Sequence, residues 1–136
     1  MALHRLTPVV SSLAIAAASL GAAAADLKLT GDQEVPPNTS TSVGTGSITV
    51  AADGSVSGSV AAPGMAGMAA HIHVGAAGVN GPVIIPLTGS AGDTWTVPPG
   101  AKLTAEQLEA WKAGNLYVNI HTAEHKGGEL RTQLKP

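Results

Sequence analysis

From Leu27 onward, apolar and polar residues alternate in short runs separated by glycine and proline, the pattern of half-buried strands rather than of helices. Leu27-Lys28-Leu29 alternates, and so does Ser47-Ile48-Thr49-Val50. Asp53-Gly54 follows as a type I′ turn signal, and Ser55-Val56-Ser57-Gly58-Ser59-Val60 alternates back. Residues 45–61 are therefore predicted to form a β-hairpin. Further strands are expected near Ala70–Val74, Pro82–Leu87, Thr94–Val97, Leu116–His121 and Glu129–Leu134, with Pro63-Gly64 and Pro98-Pro99-Gly100 among the turns. One segment departs from this period. Thr104-Ala105-Glu106-Gln107 has capping-box spacing, Leu108 and Trp111 lie three apart, and Gly114 can terminate, which predicts a short helix over about 104–113. The fold class expected is all-β: a mostly antiparallel, Greek-key-like β-sandwich with that helix in a connection.

The first 25 residues follow a different rule. Arg5 is the only fixed side-chain charge there, an apolar stretch rich in small residues follows, and Ala23 and Ala25 take the −3 and −1 places of a secretory cleavage site. Residues 1–25 are thus predicted to be a signal peptide and 26–136 a single domain, periplasmic or secreted. The alternative is an uncleaved anchor, since Pro8 to Ala25 is just long enough to span a membrane.

Composition narrows the partners. The chain of 136 residues has no Cys and no Phe, and its net charge is −2. Loss of the leader removes Arg5 and leaves 6 basic against 9 acidic side chains, so neither nucleic acid nor, after cleavage, an anionic membrane surface is an expected partner. Without cysteine there is no disulfide framework, thiolate metal site or catalytic thiol. Val, Ile and Leu number 23 after residue 25 and the only aromatic residues are Trp95, Trp111 and Tyr117, so the core must be thin and closely packed.

The chemistry sits where the histidines fall. All four beyond the leader lie in two motifs, His71-Ile72-His73 and His121-Thr122-Ala123-Glu124-His125. Residues i and i+2 of a strand share a face and stand roughly 6.6 Å apart. Two imidazoles so placed can converge on one ion at about 2.0–2.1 Å from each nitrogen. Ile72 and Val74 point the other way, into the core; Leu116, Val118 and Ile120 likewise oppose Tyr117, Asn119 and His121. Both motifs thus put histidine on the non-core face, and His125 follows in a turn that can bend it back. Candidate metal ligands are His71, His73, His121 and His125. Gly64-Met65-Ala66-Gly67-Met68 lies just upstream, and its thioethers make Met65 and Met68 additional candidates, since soft sulfur suits Cu(I). Copper is the expected cofactor, with zinc as the alternative; methionines filling gaps in the core are the plainer reading of each sulfur alone.

Other chemistries are poorly supported. No P-loop, G-x-G-x-x-G or G-x-S-x-G motif occurs, and Gly75, Gly78 and Gly81 mark a turn-rich loop. No catalytic residues are assigned. Glu124 and Glu129 lie near the second motif, as a base or ligand or, in the plainer reading, as solvated charges, and a plain ion pair could occupy Glu129 and Arg131, two apart on one strand face. Three functions fit: copper sequestration, delivery or tolerance; a copper redox enzyme; or a metal-free extracellular interaction module, with a homodimer or a periplasmic protein as partner.

Ala70-His71-Ile72-His73-Val74-Gly75, Gly78, Gly81-Pro82-Val83-Ile84, Leu116 to Thr122 and Gly128-Glu129-Leu130-Arg131-x-Gln133 together resemble a CHRD domain, the module named after chordin and common in bacterial secreted proteins. The resemblance runs from Leu27 to Leu134. It implies one extracytoplasmic β-sandwich and a binding role. Lys126 and Thr132 depart from the family's frequent Pro and Gly, and His125 is less regular in the family than the other three histidines. His71-Ile72-His73 with its following glycine is more weakly similar to the HxH strand of copper-zinc superoxide dismutases, an analogy of fold rather than of activity.

Overall fold

A computed structural model describes residues 25–90 and 93–136; the leader expected over 1–25 lies outside the described residues except for the backbone of Ala25, which opens the first strand. The strands are β1 (Ala25–Leu29), β2 (Gly44–Val50), β3 (Val56–Ala61), β4 (Gly67–Val74), β5 (Val83–Pro86), β6 (Thr88–Ser90), β7 (Thr94–Thr96), β8 (Leu116–Thr122) and β9 (Leu130–Leu134). A 3₁₀ turn, Gly31–Gln33, follows β1, and the helix α1 (Ala105–Lys112) links β7 to β8. One sheet has the order β1-β2-β3-β7-β6 and the other β5-β4-β8-β9, both antiparallel. The expected sandwich is what forms.

Register explains the core. Val118 stands opposite Ile72 on one side and Thr132 on the other, Ile120 opposite Ala70 and Leu130, and Leu116 opposite Val74 and Leu134. Alternation gives all of these one face, and Leu29, Ile48, Val50, Val56 and Val60 meet them from the other sheet. Each fully buried Leu, Ile or Val contributes roughly 1.5–3 kcal/mol. Met65 is part of this cluster at 6% exposure, a gap filler in a core without Phe.

The helix is where its caps place it. Thr104 Oγ1 accepts from Gln107 N at 3.2 Å while Gln107 Oε1 accepts from Thr104 N at 3.0 Å. At the other end Gly114 N–H donates to Trp111 O and Asn115 N–H to Ala110 O, the paired bonds of a Schellman stop. The hairpin turn corrects the expectation of type I′. Gly54 N–H donates to Ala51 O at 2.9 Å, and Gly54 alone in the turn is left-handed, with φ +89°. That is a type I turn followed by a left-handed glycine, and Asp53 Oδ1 holds it by accepting the Ser55 N–H. The short exposed strand β6 has no alternation to announce it.

The outer face of the four-stranded sheet is not the free surface that alternation alone implies. The loop 75–82 and the segment around Glu34 lie over it, and Tyr117, Asn119, His73 and Arg131 are buried beneath them.

Candidate metal centre

Pairing of β4 with β8 builds the site. His71 stands opposite Asn119, His73 opposite Tyr117 and Ala69 opposite His121, all on the outer face. His71 and His121 are therefore diagonal neighbours, with ring centroids 4.7 Å apart; His73 lies 5.7 Å from His71 and 6.2 Å from His121. One ring nitrogen from each of the three comes within 4.8 Å of the others. His71 Nδ1 and His121 Nε2 are already 3.0 Å apart. Two nitrogens bound at 2.0–2.1 Å to one ion, with angles of 90–109° between them, stand about 2.9–3.3 Å apart. As it stands, His71 Nδ1–H donates across that gap to His121 Nε2, so an ion held by both would take the place of that proton, and His73 Nε2 would have to leave Asn119.

Hydrogen bonds orient the rings. The Lys126 carbonyl lies 2.8 Å from His121 Nδ1 and the Gly81 carbonyl 2.9 Å from His73 Nδ1. A carbonyl only accepts, so both Nδ1 atoms carry the proton and both Nε2 atoms are left with a lone pair. This is the arrangement in which a ligating histidine gives its other N–H to the backbone. Burial, then the neighbouring imidazoles of His121 and His73, holds the His71 pKa below the ordinary histidine value. Burial also lowers that of His73, against its hydrogen bonds with the Gly81 carbonyl and Asn119. Neutral imidazole is the form that binds a metal.

Support for His73 extends behind it. Its ring stacks on Tyr117 at 4.6 Å and 6°, and the Arg131 guanidinium lies 3.5 Å from the centroid of the same tyrosine ring. Arg131 donates to the carbonyls of Ala76 and Val79, to Gln133 Oε1 and, at 3.4 Å, to Asn80 Oδ1. The ion pair open to Glu129 from the sequence is not made: Glu129 is buried rather than solvated and takes hydrogen bonds from Ser40 and Thr122 instead. The bulge-free run of β9 carries Arg131 under the loop 75–82, whose carbonyls claim it first. Asn119 stands 2.9 Å from His73 Nε2. As placed, its oxygen faces the ring; a neutral ring calls for the amide nitrogen there, a half-turn about χ2. Beyond Asn119 lies Glu34, only 4% exposed, with Oε1 unpartnered and its pKa raised by burial over the opposing effects of Asn119 and Arg131. The half-turn exchanges the donation from Asn119 Nδ2 to the Gly127 carbonyl, 3.4 Å away, for one to His73 Nε2 and turns the amide oxygen towards Glu34, whose raised pKa favours the neutral, donating carboxyl. Gly128 makes room for it: a Cβ there would stand 2.6 Å from both Asn119 Nδ2 and Glu34 Oε1.

The six sequence candidates separate. His71, His73 and His121 come together. His125 does not join them: the turn after β8 closes through its backbone, Thr122 N–H and Gly128 N–H both donating to the His125 carbonyl, and its side chain lines a different cavity with Glu34, Pro36 and Asn80. Met65 is in the core, whereas Met68 is 65% exposed and lines an open cavity of about 260 Å³ with His71 and His121. Sequence reasoning missed Glu34, Asn119, Tyr117 and Arg131 as supports. Only the shared face of Asn119 and Tyr117 with His121 signalled two of them.

A family description, that of the CHRD domain, matches residues 26–134. No curated protein and no solved structure matches the chain.

Proposed function

We propose that this chain, which belongs to the CHRD domain family, is a periplasmic or secreted metal-binding protein that holds copper through His71, His73 and His121 and serves in its sequestration, delivery or tolerance. The observation that carries the reading is the convergence of three imidazole nitrogens within 4.8 Å, two of the rings being oriented by backbone carbonyls. Copper is favoured over zinc by the divalent affinity order and by the Met68 thioether at the rim, a donor suited to Cu(I). The leader supports export, and among the described residues no helix is long and apolar enough to cross a membrane.

Calorimetric titration of the metal-stripped protein with Cu(II), and separately with Zn(II), tests this. One tightly held ion per chain is expected, with copper the tighter, lost in His71→Ala/His121→Ala and kept in His125→Ala. At a free ion concentration 100 times Kd the folded state gains about 2.7 kcal/mol, readable as a raised melting temperature. Absence of tight binding, or binding indifferent to the double substitution, removes the proposal; a tighter grip on zinc reassigns the ion. The solvent-open side of His71 and His121 favours one second reading, a copper oxidoreductase with a free coordination position. Superoxide turnover no faster than that of free copper eliminates it.

A further inference from the structure

Pairing between β4 and β8 is interrupted at one point. Gly67 stands opposite Thr122 and Ala69 opposite His121, so two steps along β4 match a single step along β8. Met68 is the extra residue of a β-bulge. Strict alternation would turn it towards the core, since its neighbour Ala69 shares the outer face with His121; the bulge turns it out instead, to 65% exposure. It then lines the same open cavity as His71 and His121, together with Ala69, Thr122 and Lys126. Met65, three residues earlier, is sealed in the core at 6% exposure. Of two methionines in one short segment, the fold hides one and places the other on the cavity that His71 and His121 line.

We infer that Met68 is a redox-modification site that regulates the metal centre: hydroperoxides oxidise its thioether to the sulfoxide, and the centre then loses its hold on Cu(I). This rests on the three-imidazole reading and adds a control on it. In the step, the sulfur lone pair attacks one oxygen of hydrogen peroxide, the O–O bond breaks, an S–O bond forms and water leaves. Sulfur loses two electrons and peroxide gains them. The product is polar, and its sulfur, with one lone pair left and a partial positive charge, is a much poorer soft donor to Cu(I), while the imidazoles are untouched. Cu(II), bound by nitrogen, is therefore retained. The damage is reversible by methionine sulfoxide reduction, which makes it a control rather than a loss.

The experiment treats the metal-stripped full-length secreted protein with hydrogen peroxide, removes the peroxide, and maps oxidation by peptide mass spectrometry. Cu(II) affinity is then measured by calorimetry, and Cu(I) affinity by competition with a chromophoric cuprous chelator. Met68 should oxidise well before Met65. Oxidation should weaken Cu(I) binding about tenfold or more, at least what loss of an outer-sphere partner costs, with Cu(II) affinity unchanged. Reductase treatment should restore it, and Met68→Leu should bind Cu(I) weakly before and after peroxide alike. Equal oxidation of Met65 and Met68, or Cu(I) affinity indifferent to Met68 oxidation while Cu(II) still binds, overturns this inference alone. Failure of the untreated protein to bind either copper ion overturns the three-imidazole reading and this inference with it.

Discussion

Replacing Arg131 with Met separates two accounts of what this residue does. At 1% exposure the guanidinium makes no ion pair with Glu129; it ties the carbonyls of Ala76 and Val79 and stands 3.5 Å over the centroid of the Tyr117 ring. Met keeps the apolar stem and removes every donor. Ala76 O keeps one partner, the Val79 N–H at 3.0 Å, but Val79 O loses its hydrogen bond. An orphaned carbonyl costs about 1–3 kcal/mol, and the lost cation–π contact adds roughly 0.5–2 kcal/mol. Arg131→Met should therefore cost about 2–4 kcal/mol, a large share of the 5–15 kcal/mol of a domain this size. Urea unfolding followed by Trp95 and Trp111 fluorescence measures it. The loop 75–82 also carries the Gly81 carbonyl that orients His73, so on the proposed reading metal affinity should fall roughly tenfold although Arg131 touches none of the three histidines. Since Glu129 is bonded elsewhere, a cycle with Glu129→Gln should give a coupling below about 1 kcal/mol. A stability loss under about 1 kcal/mol with metal affinity unchanged would refute the reasoning, and strong coupling to Glu129 would restore the simple ion pair.

Two pH effects run in opposite directions. The raised pKa of Glu34 means that the folded state holds its proton more tightly, so its stabilising contribution is complete at low pH and is lost as pH rises through the folded value. Glu34→Gln should gain on wild type in thermal melts between pH 4 and pH 8, and a difference that stays flat would show that the carboxyl is not held neutral. The lowered pKa values of His71 and His73 act the other way: their contribution is present above the ordinary histidine range and lost as pH falls through the folded values. Metal-free protein should lose melting temperature from pH 7 to pH 5 more steeply than His71→Ala/His73→Asn, and parallel slopes would argue against it.

Periodicity carried far. The hairpin, the helix with its caps, and the strands holding both histidine motifs were legible because alternation, turn residues and capping spacing are local properties, decided within a few residues. The three-imidazole cluster was legible too, since a period of two puts His71, His73 and His121 on the non-core faces of apolar strands. What stayed hidden was non-local. Nothing near Glu34 says that it folds back beside Asn119, 85 positions further along the chain. Arg131 was misassigned for the same reason, because Glu129 is near in sequence while the carbonyls of Ala76 and Val79 arrive from a distant loop. The bulge at Met68 escaped because alternation assumes an unbroken ladder.

The cover over the outer face is unequal, and this gives the site its direction. His73 is buried, stacked on Tyr117 and held at both ring nitrogens, so its position is settled before any ion arrives. His71 and His121 are half-buried and Met68 is open, all on the rim of one cavity. On the copper reading proposed above, an ion entering from the open side would meet Met68, His71 and His121 before His73, and holding all three imidazoles would displace the bond between His73 and Asn119. On that reading the inner imidazole would suit Cu(II) and the outer thioether Cu(I). Reduction of copper held there would then shift it towards the open side, which suits delivery rather than permanent storage.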